Sequence, residues 1–295
     1  MKLPNFNNLP KLGSLWMLVA ALGFAIMGAL VKVGATKFGS AELVFYRSIF
    51  GLIAIYAFIF AKKLPLKTPT MFKHMSRSLV GFGSLALFFY AIAHLPLATA
   101  ITLNYTSPLF LAFFMPFMLH EKPKKIVYLA IIIGFIGVML VLQPTITKND
   151  ALAGALGLAS GVGASFAYIY VKQLGNLGEP DWRTVFYFTL VSSIGAGCWM
   201  LFNTFTPITW RDLLVLVGLG VSATIAQLAL TRAYRTGKTL TVASLAYVTV
   251  IIASFFGMLF WDEQPSVAEW LGIGLIILSG VISIKTTSEN ASTTK

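Results

Sequence analysis

Polar residues in this chain are gathered into short clusters, and long, almost unbroken apolar runs lie between them. Ten runs can be marked: 12–34, 40–61, 75–93, 98–119, 126–143, 151–172, 183–203, 210–231, 240–260 and 267–284. Each is close to the roughly 20 residues that a helix needs to cross about 30 Å of hydrocarbon. The pattern predicts an all-α integral membrane protein of ten transmembrane helices with short connections. Arg232 and Arg235 crowd the end of the eighth run. The C-terminal SENASTTK is polar and reads as disordered. Lys2 and Lys11 precede the first run in the manner of a signal peptide, but that run is long and leads straight into others. It reads as an uncleaved first helix.

One run occurs twice. Residues 98–123 read ATAITLNYTSPLFLAFFMPFMLHEKP and residues 240–265 read LTVASLAYVTVIIASFFGMLFWDEQP, an ungapped offset of 142. Leu103 falls on Leu245, Tyr105 on Tyr247, Glu121 on Glu263 and Pro123 on Pro265. Fainter echoes pair Phe24-Ala25 with Phe166-Ala167, and Val44-Phe45-Tyr46 with Val185-Phe186-Tyr187. The chain therefore divides into two five-helix repeats, 12–143 and 151–284. Five is odd, so the second copy must insert upside down. The flanking turns agree: HEKPKK follows the fourth run, whereas DEQPSV, without lysine, follows the ninth. This is the pattern of an inverted-topology repeat.

Composition narrows the class further. The chain is 57% hydrophobic and 11% charged, too apolar for a soluble protein of this length. Its net charge of +12 is spread over the short connections, a topology signal rather than a nucleic-acid patch. With the N-terminus in the cytoplasm, 17 basic residues, Arg77 among them, fall on the cytoplasmic side. The far side receives four: Lys32, Lys37, Lys148 and Arg211. Both termini are thus expected inside, in the inner (plasma) membrane. A single cysteine, Cys198, allows no disulfide framework, and His74, His94 and His120 are scattered at connection edges. No metal site or cofactor motif is expected. The glycines at 154, 157, 161 and 163, and those at 272, 274 and 280, read as helix-packing surfaces.

The segments LNYTSPLFLAFFMPFMLHEKP and LAYVTVIIASFFGMLFWDEQP, the FYRS of the second run and LTRAYR at the end of the eighth carry a resemblance. Together with two inverted five-helix halves, they resemble the ten-helix EamA-like members of the drug/metabolite transporter superfamily. The resemblance covers nearly the whole chain. It implies a secondary transporter of a small organic metabolite. It does not name the solute, because that superfamily moves amino acids, nucleotide derivatives, vitamins, carboxylates and drugs.

Thr99, Thr102 and Tyr105 recur every three residues on one helix face, and their counterparts are Thr241, Ser244 and Tyr247. Hydroxyls facing lipid lack partners, so both stripes should turn inward, either to line a pathway or to pack helices. Pro108 interrupts the fourth run, and with Asn104 and Ser107 it predicts a local opening. The ninth run has no proline, so a weaker opening, eased by Gly257, is expected there. Arg47 is the one cation placed well inside a run, and its repeat counterpart is Phe188. It is either a grip for an anionic group or a brace paired to Glu42 or to backbone carbonyls. Arg232, whose counterpart is Tyr90, either closes the cytoplasmic mouth or anchors the helix at the headgroups. Gln227, one turn deeper, is a cavity-lining candidate. Phe166 and Tyr168 complete the set, with an aromatic belt as the competing reading for the run that ends at Tyr170.

Solute handling is expected to follow alternating access through a central cavity between the repeats, for an amphipathic or anionic solute. The acids cluster at run ends, and only Glu42 approaches the cavity. That favours exchange or facilitated diffusion over proton coupling through a carboxylate. The rival classes are a polytopic membrane enzyme or lipid-handling protein, and a structural or sensory bundle. The partners implied are a small-molecule solute and the lipid bilayer, with no signal for an oligomeric state.

Overall fold

The computed structural model describes residues 13–95, 97–121, 123–143, 151–262 and 264–292. Lys2, Lys11, Lys122, Lys148, Asp150, Glu263 and Lys295 lie outside them. Twelve helices and no strand are found among the described residues. They are α1 (Trp16–Gly34), α2 (Ser40–Ala61), α3 (Met71–His94), α4 (Leu97–Asn104), α5 (Ser107–Met118), α6 (Lys125–Leu142), α7 (Ala151–Asn176), α8 (Asp181–Met200), α9 (Trp210–Thr236), α10 (Thr239–Ala246), α11 (Val248–Trp261) and α12 (Val267–Ser292). The last runs further than expected, since α12 continues through Ser292 into the polar tail.

Eight helical stretches are long and apolar enough to cross a membrane, with α4–α5 and α10–α11 each counted as one. α3 and α8, 24 and 20 residues long, are not among these eight. His74, Arg77 and Ser78 of α3 are buried, as are Thr184, Thr189, Ser192 and Ser193 of α8. Phe72 of α3 and Ile194 of α8 point outward instead. These two helices carry polar groups on an inward face and apolar groups outside, the arrangement that hydrocarbon demands.

The main packing partners lie in opposite halves. α1 packs on α9, α3 on α7, α2 on α8 and α9, and α6 on α12. Exchanging the halves turns α1·α9 into α7·α3, and leaves α2·α8 and α6·α12 in place. The contact pattern thus repeats the duplication seen in the residues.

Close approach at the α6–α12 crossing depends on two glycines. A Cβ at Gly272 would stand 2.6 Å from the Gly137 carbonyl oxygen, and one at Gly137 would stand 2.7 Å from that of Gly272. Of the other glycines read as packing surfaces, those at 157, 161 and 163 are also tight. Gly280 makes only ordinary contact, and Gly154 and Gly274 face open space. Gly272→Val is therefore expected to destabilise the bundle by about 1–3 kcal/mol or more through overpacking. Gly274→Ala should be near neutral. Apparent unfolding midpoints in detergent check the pair, and equal midpoints would refute the crossing.

Candidate functional site

α2, α8 and α9 enclose a cavity of about 10 Å³ lined by Arg47, Ser48, Phe188, Thr189, Ser192, Ala223, Thr224 and Gln227. That is near the volume of one water, so the two halves are closed on each other here. Arg47 is 7% exposed, and its Nε donates to Met27 Sδ at 3.3 Å. It is not paired to Glu42. Glu42 instead accepts from the Thr206 backbone N–H at 2.8 Å and from its hydroxyl at 2.9 Å. Phe188, the repeat counterpart of Arg47, stands in the wall of the same cavity.

A second cation, expected on the cytoplasmic side from the distribution of charge, is instead buried in the bundle. Arg77 of α3 is 3% exposed. Its guanidinium lies 3.9 Å from the centre of the Phe188 ring, and Nη2 donates to Gln227 Oε1 at 3.3 Å. Its Nε and Nη1 have no hydrogen-bond acceptor among the described residues. Each such donor costs about 1–3 kcal/mol, and an uncompensated buried charge costs several more. The signal for it lay in spacing: Arg77, Gly81 and Ser84 recur at i, i+4 and i+7, a small and polar face. Ser84 uses that face to donate to the Ser160 carbonyl at 2.7 Å.

An aromatic seam adjoins the cations. Tyr168 lies within electrostatic reach of Arg77 and stacks on Tyr234, with centroids 5.1 Å apart and rings 16° from parallel. Phe166 stacks on Phe114 at 4.7 Å. Tyr105 and Tyr247, the repeat pair, meet each other at 6.2 Å. Tyr247 is fully buried, yet its hydroxyl has no hydrogen-bond partner among the described residues.

The helix breaks fall at these tyrosines. α4 gives way to α5 at Tyr105 and Thr106, and α10 gives way to α11 at Tyr247. The ninth run thus breaks as the fourth does, without a proline. Both breaks are shallow. Thr106 and Tyr247 keep right-handed helical angles, and each N–H reaches back three residues, to Leu103 and Ser244. The opening expected near Pro108 is not formed. The Leu103 carbonyl accepts from the Thr106 hydroxyl as well, and Asn104 donates to Ser160 Oγ at 3.0 Å.

The remaining candidates separate. Thr102 and Ser107 are buried but do not line the cavity, and Ser244 donates to the Thr241 carbonyl at 3.0 Å. Arg232 sits 4.8 Å over the Trp16 ring, away from the cavity. Tyr90 stacks on His94 at 4.1 Å and lines an open apolar groove with Leu87, Leu156 and Trp199. Arg47 and Gln227 are therefore brought together, as are Tyr105, Phe166, Tyr168 and Tyr247, while Tyr90 and Arg232 stand apart.

Polar ties join the halves at both ends of the bundle. At one end Glu179 accepts from Thr68, from Thr70 at 2.7 Å and from Arg183 at 2.7 Å, with His74 Nε2 at 3.3 Å. Arg183 and Tyr187 also donate to the Pro65 and Leu66 carbonyls. At the other end Lys37 pairs with Asp212, and Gln143 donates to Ser266 at 3.1 Å. Burial raises the Glu179 carboxyl, but the donors from Thr68, Thr70, Arg183 and His74 outweigh it and hold it at about 2.

The pattern of the EamA-like transporter family matches residues 11–143 and matches again over 152–284. The chain belongs to that family. Among its relatives, it is similar to the pseudopaline exporter of Pseudomonas aeruginosa, 30% identical over 282 residues, spanning 96% of this chain and 99% of that one. It is 29% identical to the riboflavin transporter of Vibrio cholerae, over 92% of each. It is 24% identical to the S-adenosylmethionine uptake transporter of Rickettsia bellii, over 90% of this chain and 91% of that one. A solved crystal structure superposes with a TM-score of 0.81 over 92% of this chain and 96% of its own, at 18% identity, and so shares the fold. Membership makes the chain a multi-pass membrane transporter of the drug/metabolite superfamily and not an enzyme. In a bacterium its place is the inner membrane.

Two outcomes follow from the site's polar groups. An unpartnered buried hydroxyl costs stability, so Tyr247→Phe should hold or raise the unfolding midpoint while lowering transport. A lowered midpoint would show that the hydroxyl is structural. A carboxyl whose folded pKa is depressed adds stability above its ordinary value of about 4.3 and loses it as pH falls toward 2. Glu179→Gln should therefore lower the midpoint at neutral pH, and its deficit should shrink as pH falls below about 4.

Proposed function

We propose that this protein is a secondary transporter that moves a small organic metabolite by alternating access, without ATP. The observation that carries this reading is the position of the closed cavity. It is walled by α2 from one repeat and by α8 and α9 from the other, and it holds a buried guanidinium. Carriers built from inverted repeats place solute at such a junction and rock one half against the other. In this reading the chain crosses the membrane ten times with both termini in the cytoplasm. The Glu179 ties then close the cytoplasmic end, and the Lys37–Asp212 pair closes the far end. Releasing one set while the other holds exposes the cavity to one side at a time.

The solute is amphipathic or anionic, matched to Arg47 and to the aromatic seam. The relatives named above include one exporter and one uptake carrier, so likeness leaves the direction open. Among the described residues no carboxylate lines the cavity, and Glu42 is held by Thr206. Exchange or facilitated diffusion therefore suits the site better than proton coupling through an acid.

Flux into proteoliposomes, measured with a panel of small metabolites, tests the function. At least one solute should show saturable flux, and Glu42→Gln should leave its pH dependence unchanged. Single cysteines placed at Thr224 in a Cys198→Ser background test the mechanism. Glu179→Ala should favour labelling from the cytoplasmic side, and Asp212→Ala should favour the far side. Flux for no solute, together with labelling that ignores both ties, would sink the proposal.

A further inference from the structure

Arg47 and Arg77 come from different helices yet share two neighbours. Arg47 lines the cavity with Phe188 and Gln227, while Arg77 lies over the Phe188 ring and donates to Gln227. Sharing Phe188 and Gln227 brings the two guanidiniums to one junction, and both are more than nine-tenths buried. Two like charges in a low-dielectric interior repel strongly and call for a counter-charge.

Among the described residues, the chain's own acids do not supply it. Glu42 is engaged by Thr206, Glu121 by Thr239, Asp181 by Arg235, Asp212 by Lys37 and Glu269 by Ser266. Glu179 is engaged by Thr68, Thr70 and Arg183. Asp262 sits at the exposed end of α11. By sequence, Asp150 and Glu263 belong to connections, and Glu289 falls near the end of α12.

Building on the transporter reading above, we propose that the solute itself provides the counter-charge. It is an organic dianion, with one carboxylate or equivalent oxyanion for each guanidinium. Nε and Nη1 of Arg77, which lack acceptors among the described residues, are the donors left for one of these groups. Phe188, which lines the cavity, offers apolar surface to the body between the two charges. The clamp is asymmetric by construction, since the repeat places Phe188, not a cation, opposite Arg47. A phosphate headgroup carries similar chemistry, so the test separates a soluble solute from an anionic lipid.

The probes are isophthalate, glutarate, benzoate and neutral isophthalamide, added to purified protein in a non-ionic detergent. Binding is read as the rise in apparent unfolding midpoint with concentration. At least one dianion should bind ten-fold or more tighter than benzoate, and isophthalamide should give no rise. Arg47→Gln and Arg77→Gln should each weaken the dianion at least ten-fold and shrink its advantage over benzoate. Phosphatidylglycerol should neither raise the midpoint nor compete. If it does both, the clamp holds a lipid and the proposal fails. Without any probe, Arg77→Met should raise the midpoint, because it removes an uncompensated charge; a large drop would make Arg77 a brace. No rise with any dianion, or an undiminished rise in both variants, would overturn the clamp. Dianion binding without flux would instead leave the clamp intact and defeat the transporter reading.

Discussion

Hydrocarbon accepts no hydrogen bond, and that constraint orders the whole bundle. Polar side chains turn inward and find one another across helices. Ser84 of α3 reaches the Ser160 carbonyl of α7, and Asn104 of α4 reaches the Ser160 hydroxyl. Large apolar side chains such as Phe72 and Phe117 take the outside. With lipid on one side and protein on the other, burial of apolar area does little to choose between them. Close backbone approach and interhelical hydrogen bonds do more. The Gly137–Gly272 crossing and the Ser160 links are that kind of contact.

The same constraint explains which features could be read in the residues. Length and apolar composition announce a span, and eight of the expected spans stand out this way. Which polar groups a span turns to its inner face is not legible in that average, and Arg77 of α3 is the case in point. It sits near the start of α3, and a count of charges cannot tell a cation facing headgroups from one facing the bundle core. Arg47 was legible because apolar residues flank it on both sides. The break at Tyr247 had no proline to announce it. It follows from duplication: Tyr105 and Tyr247 meet with rings tilted by 35°, and each copy bends at the same position. The pairing of Arg47 with Glu42 was reasonable from spacing but fails because Thr206, distant in sequence, reaches the carboxylate with two donors.

Duplication also sets what the centre can do. A two-fold arrangement by itself would give matched walls, and the tyrosine pair is such a wall. The cations break that symmetry. Arg47 has Phe188 as its counterpart, and Arg77 projects from α3 onto that same ring. One side of the junction is therefore charged, and the other presents an aromatic face. On the proposed clamp, a solute would take a defined orientation, with its two charges toward Arg47 and Arg77 and the body between them toward Phe188.

Charge at the centre bears directly on the transport cycle. In the closed form the cavity is about 10 Å³, and both guanidiniums are withdrawn from bulk water. Closing around a dianion neutralises them, whereas closing without one leaves two like charges in a medium that screens them poorly. On the proposed clamp and cycle, the loaded carrier would cross the closed form at lower free energy than the empty one. A lower barrier for the loaded form is the condition for exchange to outrun net flux. On the proposed clamp, that preference needs no titrating acid at the cavity, which agrees with the engagement of Glu42 at the end of the bundle. The solute would then act as ligand and as counter-ion at once, and the ties at each end would need only to keep both gates from opening together.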